Sequence, residues 1–449
     1  MSATQDKFPP GLNNAYLFAT FNALSFQIVL NSPMVLYGKS LGASATVLGI
    51  ITGMMPLLVI FQIPAAQYID RVGYRRFVYA GWGTRVSFIF GMTLVPVTGF
   101  FLNATTRLAL LLALLFGFNL SRGISSCAWL PWISQLVPPA VRGRYLARDA
   151  AFVNLASFVT YLLAALCLGV DPQAWQFAVL FAFSAVMGAA SLVFLKRIPD
   201  CPPPAQEKTG KGPVPWGEIV RFPPFRKLLR TAVTWSVAYG GMTAFTVLFL
   251  KSETAMSERA ILGVSSVSFL GGLCSLWFLG SRLDHLGSKP VLMFSFLTWL
   301  GIIAGWGALA GGVIEVRLGV ILGLQFLLGL FAALVQMSHT RLVMAVSPVM
   351  GRNHFLALYS VLSSVALGLS PILWGLLIDA VGPTSSRWLS VDWNRYTVFF
   401  SATGAVMALA LLLATRLEEP QAVSMEDLLK EILVQSPQRV WMKLWPRAG

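Results

Sequence analysis

The chain has 449 residues, of which 56% are hydrophobic and 11% charged, with a formal charge of +15. So apolar a composition excludes a soluble globular domain, because the polar residues are too few to keep its surface in water. The positive charge does not point to nucleic acid: the basic residues are scattered over loops and tails, where anionic lipid headgroups account for them.

A bilayer core takes about 20 apolar helical residues to cross, since every backbone polar group must be satisfied within the helix. Stretches of that kind recur at 14–38, 43–68, 77–101, 108–137, 145–170, 175–195, 231–250, 260–280, 291–312, 318–346, 356–378 and 396–415, which predicts twelve spans. Residues 1–13 lack the basic start and small-residue cleavage site of a signal peptide, so the first span is expected to persist. With twelve spans, Lys39, Arg107, Lys251, Arg259, Arg317, Arg387 and Arg395 fall in outer loops and Arg85, Arg122 and Arg341 fall inside spans. Most of the 33 Lys and Arg residues therefore lie on the inner side. By the positive-inside rule both termini are cytoplasmic, in a bacterial inner or plasma membrane. Cys127, Cys167, Cys201 and Cys274 form no paired motif, and His285, His339 and His354 are isolated, so neither a disulfide nor a metal site is expected.

The loop after the second span reads Ala66 to Arg76, AQYIDRVGYRR, and the loop after the eighth reads Gly280 to Pro290, GSRLDHLGSKP. Asp70, Gly73 and Arg75 match Asp284, Gly287 and Lys289 at a constant offset, which marks an internal duplication. Pro138, Arg142, Leu146 and Ala147 after the fourth span match Pro348, Arg352, Leu356 and Ala357 after the tenth in the same way. These loops carry the G-x-x-x-D-R-x-G-R-[KR] pattern, with Ala66, Tyr74 and His285 as departures, and on them the chain resembles the major facilitator superfamily.

The resemblance implies an all-α polytopic membrane protein of twelve transmembrane helices in two pseudo-symmetric six-helix bundles, moving a solute by alternating access as a secondary transporter. The expected organisation is an N-terminal bundle at 1–197, a cytoplasmic linker with an interfacial helix at 198–230, a C-terminal bundle at 231–416 and an amphipathic tail at 417–449. It also implies a cytoplasmic gate in which Asp70 meets the start of helix 11 and Asp284 the start of helix 5. Arg71, Gly73, Arg75, Arg76, Arg142, Arg144, Gly287, Lys289 and Arg352 complete that gating set. In the tail, Trp441 and Trp445 among basic residues suit a membrane interface, with docking of a protein partner as the alternative.

In the family, helices 1, 4, 7 and 10 line the cavity. On helix 4, Asn119, Arg122, Ser126 and Trp129 recur every three or four residues and share one face. Arg122 lies about 15 residues from the inner end at Val137, roughly 22 Å by helical rise, too deep to snorkel. A central Arg is costly in lipid, so it is expected to face a partner or a wet cavity. Arg85 is shallower, on a helix normally peripheral in the family, and is expected to be structural. Asn22, Gln27 and Asn31 on helix 1, Asn154 and Tyr161 on helix 5, Trp235 and Tyr239 on helix 7, and Gln336 and His339 on helix 10 complete the polar set. Among them Asn22, Trp235, Tyr239, Gln336 and His339 join the helix 4 face as the candidate solute site.

All 18 Asp and Glu residues fall in loops, tails or span ends, and Asp149 and Asp379 read as gating or capping groups. Without a central carboxylate, the expectation is a facilitator or exchanger of a small polar, anionic organic solute, with Arg122 as charge partner and no cofactor. The alternatives are a neutral, sugar-like solute, proton coupling through His339, or a transporter-like subunit that only scaffolds a membrane complex. No nucleophile triad or phosphate-cradling glycine loop points to an enzyme.

Overall fold

The computed structural model describes residues 11–138, 142–201, 216–279, 287–347, 352–388 and 390–417. In chain order the helices are α1 (Asn13–Leu30), α2 (Ser32–Ser40), α3 (Ala45–Leu57), α4 (Gln62–Ala66), α5 (Ile69–Val72), α6 (Tyr74–Val97), α7 (Ala104–Ser125), α8 (Trp129–Leu136), α9 (Arg142–Leu168) and α10 (Ala174–Arg197). They continue with α11 (Trp216–Arg221), α12 (Pro223–Tyr239), α13 (Met242–Ser252), α14 (Glu258–Leu279), α15 (Ser288–Ala310), α16 (Leu318–Val346), α17 (Arg352–Val381) and, after a small hairpin of β1 (Ser386–Trp388) and β2 (Val391–Trp393), α18 (Arg395–Thr415).

Ten segments among the described residues are helical, long and apolar enough to cross a membrane. The predicted first and third spans fall outside that set. The first is split into α1 and α2 at Asn31, whose backbone is extended, and α6 carries Arg75, Arg76 and Arg85, which lower its hydropathy. The split leaves backbone groups that lipid could not satisfy. Tyr161 on α9 serves them: the Ser32 N–H donates to its hydroxyl oxygen at 3.2 Å, and that hydroxyl donates to Ser32 Oγ at 3.2 Å. Gln27 Nε2 donates to Ser157 Oγ at 2.7 Å beside it. The polar residues of helices 1 and 5 are thus partly spent on holding the split helix.

Helices α1, α6, α7, α9 and α10 pack on one another, as do α12, α15, α16, α17 and α18, and the two groups meet where α3 lies along α17 and α9 along α14. At one end of the α3–α17 seam, Asp379 reaches across to the start of α3. Its carboxylate accepts from Ala45 N at 3.0 Å, Thr46 N at 2.8 Å and Thr46 Oγ1 at 2.6 Å. A negative group at a helix N-terminus meets free N–H donors there. Farther along the seam the backbones touch: a Cβ at Gly49 would run into the Pro371 carbonyl, one at Gly53 into that of Gly368, and one at Gly375 into that of Ala45.

Gly73 and Gly287, the matched glycines of the duplicated loops, adopt the same conformation, with φ +83° and ψ 153° against φ +78° and ψ 161°. That region is open to glycine almost alone, which explains why both loops carry it at this position. The helix that follows the linker begins at Pro223 rather than at 231, with Phe225, Leu228 and Leu229 buried in the helix packing. The short α11 occupies part of the expected interfacial segment and buries Ile219. Residues 202–215 and the tail from 418 lie outside the described residues.

Candidate functional site

Three adjoining chambers occupy the space between the helix groups. The first, of about 420 Å³, is lined by Phe18, Asn22 and Asn31 from the α1 side, Trp82 and Arg85 from α6, Arg122, Ser126 and Trp129 from the α7–α8 segment, and Asp149 from α9. The second, of about 680 Å³, is lined by Trp235 and Tyr239 of α12, Gln336, His339 and Thr340 of α16, and Tyr359, Ser360 and Ser364 of α17. Leu130 borders both. A third, of about 200 Å³, shares Asn31 with the first and Tyr239 with the second, and includes Asn154 and Tyr161. The helix pairs thus bring most of the predicted polar residues to these chambers, Asn119 and Gln27 excepted.

The first chamber concentrates charge. Arg85 is 4% exposed, with its guanidinium carbon 4.7 Å from the centre of the Trp82 ring and 4.9 Å from that of Phe118. Cation–π contact with two rings compensates part of the cost of removing that charge from water. Arg122 is partly buried and lines the chamber near it, and the two positive charges act on one another. No carboxylate lies within ion-pair distance of either arginine among the described residues. The rest of the wall is ordered by side-chain bonds: Trp82 Nε1 donates to Asn22 Oδ1 at 3.2 Å, and Gln62 Nε2 donates to Ser126 Oγ at 2.7 Å. Trp129 packs against Phe18 at 4.8 Å and edge-on to Trp132 at 6.0 Å.

Arg85, expected to be structural, lines the same chamber as Arg122, and its burial between two rings is compatible with a structural place. Asp149, read as a gating or capping group at a helix end, also lines that chamber, with Oδ1 buried and without a hydrogen-bond partner among the described residues. The chamber reaches toward the start of α9, so a residue near a helix end in sequence still faces the cavity. Asn119, expected on the cavity face, is 1% exposed, donates to the Leu115 carbonyl at 2.9 Å and is not among the lining residues.

Among the described residues, no Asp, Glu, Lys or Arg lines the second chamber. Trp235 and Tyr239 stack on each other with centroids 5.1 Å apart, and Phe296 and Trp299 hold Trp235 from its other sides. His339 is 4% exposed, edge-on to Phe296, and its Nε2 has no hydrogen-bond partner among the described residues.

For the gating set, Arg71, Arg76 and Arg144 are exposed, and Arg75 Nε lies 3.3 Å from Asp200, just past the end of α10. Both members of that pair are well solvated, so it contributes little to stability. Lys289 stands in the first turn of α15. Asp284 and the side chains of Asp70, Arg142 and Arg352, on which the expected cytoplasmic lock depends, lie outside the described residues.

The sequence profile of the Major Facilitator Superfamily matches residues 15–312. A citrate-proton symporter of Klebsiella pneumoniae is 22% identical over 351 residues, covering 73% of this chain and 75% of that protein. Among solved structures, a mutant form of the nucleoside transporter NupG superposes with a TM-score of 0.72 at 10% identity, covering 91% of this chain and 100% of that one. A POT family transporter in complex with 5-aminolevulinic acid gives a TM-score of 0.64 at 13% identity, covering 92% and 99%. The apolar helices, the duplicated loops and the profile agree: this chain belongs to the Major Facilitator Superfamily. It is an integral multi-pass membrane protein of a transporter family, not an enzyme, and its family handles small solutes within a membrane.

Proposed function

We propose that the protein is a twelve-span alternating-access carrier for a small organic anion, with α1–α2 and α6 counted as spans and both termini cytoplasmic. The observation that carries this reading is the pair Arg85 and Arg122 in the wall of one central chamber, without a carboxylate in ion-pair contact among the described residues. A guanidinium in a low-dielectric cavity offers paired, planar donors that suit a carboxylate or phosphate, and leaving two of them there without a negative partner is costly. A bound anion resolves that cost. In this orientation the Asp379 end of the α3–α17 seam is the outer face, held shut, and the duplicated loops with Asp70 and Asp284 form the inner gate. The test is a thermal-shift screen of purified protein with organic anions and their uncharged counterparts, because a ligand bound only by the folded state raises its stability. Anions are expected to stabilise, and stabilisation by uncharged solutes alone overturns the reading.

A second reading concerns coupling, and Asp149 favours it. The facilitator expectation rested on the lack of a cavity carboxylate, whereas Asp149 lines the chamber with an unpartnered oxygen. A group that must gain and lose a proton needs a place in the cavity wall, open to water in at least one state of the carrier. The groups around it are Arg85 and Arg122 in the chamber, Tyr145 one turn earlier on α9, and Tyr16 with its ring 5.0 Å from that of Tyr145 and Arg148 over its face. The citrate relative is named a proton symporter. Asp149→Asn is expected to keep solute-driven counterflow in proteoliposomes while losing stimulation by an inward proton gradient. Stimulation that survives the substitution removes Asp149 from coupling.

A further inference from the structure

The charged side chains facing the central space belong to one of its two large chambers. Arg85, Arg122 and Asp149 all line the first; the second is larger and, among the described residues, is lined by neutral groups, with Leu130 as the common border. Its donors and acceptors are those of Gln336, His339, Thr340, Tyr359, Ser360 and Ser364. A cavity meant only to pass a hydrocarbon tail has no use for so many polar groups, since each loses hydration when a dry solute fills the space. His339 belongs to this wall as well: it is 4% exposed and its Nε2, buried in this conformation, has no hydrogen-bond partner among the described residues. An amide and several hydroxyls both give and take hydrogen bonds, and the simplest uncharged ligand group that does the same in return is the hydroxyl.

We infer that the two chambers divide one solute between them: the arginines of the first hold its carboxylate, and the Gln336–His339 face of the second hydrogen-bonds a hydroxylated carbon chain. The transported class is then hydroxylated organic acids. This rests on the anion reading above and adds the requirement for hydroxyls. The chambers measure about 420 and 680 Å³, each by itself in the range of small-molecule sites. Alternating access gives a reason for the division: a solute held by both helix groups links their movement, whereas one held by a single group does not.

Three probes of one carbon skeleton separate the claims. Glucarate carries carboxylates and hydroxyls, adipate the carboxylates alone, and sorbitol the hydroxyls alone. Binding to the purified full-length protein is measured by thermal shift over a concentration series. Glucarate is expected to bind about tenfold or more tighter than adipate, the effect of one or two well-made hydrogen bonds that would otherwise leave buried groups unpaired, and sorbitol more weakly than either. His339→Ala and Gln336→Ala are expected to erase the glucarate preference, lowering glucarate affinity to about that of adipate. Arg122→Gln is expected to weaken both acids together. Equal binding of adipate and glucarate by the wild type overturns the hydroxyl requirement and leaves the anion reading intact. Sorbitol binding as tightly as glucarate overturns the anion reading. If none of the three binds, hydroxylated acids of this size are not the solute and the inference falls. Because His339 is buried, each variant is compared at matched monodispersity, and His339→Gln, which keeps a neutral hydrogen-bonding side chain, is expected to restore part of the preference.

Discussion

Arg122→Gln is expected to weaken binding of an organic anion by roughly ten- to a hundredfold, the equivalent of losing a charge-assisted hydrogen bond of about 1.5–3 kcal/mol in a dry site. Arg122→Lys keeps the charge and loses the planar fork, so it should fall between wild type and Gln. Arg85 refines this expectation. Its side chain is boxed between the Trp82 and Phe118 rings and is almost fully buried, whereas Arg122 is more accessible to the chamber. Arg85 is therefore less able to follow a ligand, and its charge sets the local potential that Arg122 shares. Removing Arg85 also leaves two aromatic faces without their cation, so Arg85→Gln should lower the melting temperature as well as affinity, while Arg122→Gln should leave folding nearly intact. Affinity and melting temperature measured on the same preparations distinguish the two residues. An Arg122→Gln variant with wild-type affinity would make Arg122 structural.

The α3–α17 seam carries the other large effect. Gly49→Val places side-chain atoms where the Pro371 carbonyl now lies. Overpacking a tight helix contact costs about 1–3 kcal/mol, and here the relief is for α3 and α17 to separate at the Asp379 end. In a two-state carrier that penalty falls on the state with this end closed, so its population drops by about five- to a hundredfold relative to the alternative. Flux in proteoliposomes should fall accordingly at normal expression. A cysteine introduced at Val47, in a background without the four native cysteines, should react faster with a maleimide in the Gly49→Val protein. Asp379→Asn should act in the same direction and more mildly, because its carboxylate is exposed and water replaces part of what is lost. Unchanged flux and unchanged labelling in Gly49→Val would show the seam to be a fixed contact and not a moving one.

The duplicated loops were legible in the sequence from their repeated Asp, Gly and base, and the two glycines do share a positive φ. The contact made by Asp379 and the small-residue seam has no comparable motif. Asp379 was read as a gating or capping group at a helix end, and it caps the start of α3, which lies 333 or 334 residues away in the chain. The glycines of the seam matter only because two backbones approach there, and such an approach is a property of helix pairs.

Composition, span length and the duplicated loops were enough for the sequence by itself to determine a multi-pass membrane protein of this superfamily, because lipid permits few ways to satisfy a backbone and each leaves a periodic, apolar trace. Which side chains meet depended on the tertiary structure. Arg85 joined Arg122 because α6 packs against α7, Asn119 left the cavity because it turned back to its own helix, and Asp149 entered it although it stands near the start of α9. Helical spacing specifies the face a residue shares with its neighbours in sequence, but the azimuth of that face and the extent of the cavity along it are set by the packing of helices far apart in the chain.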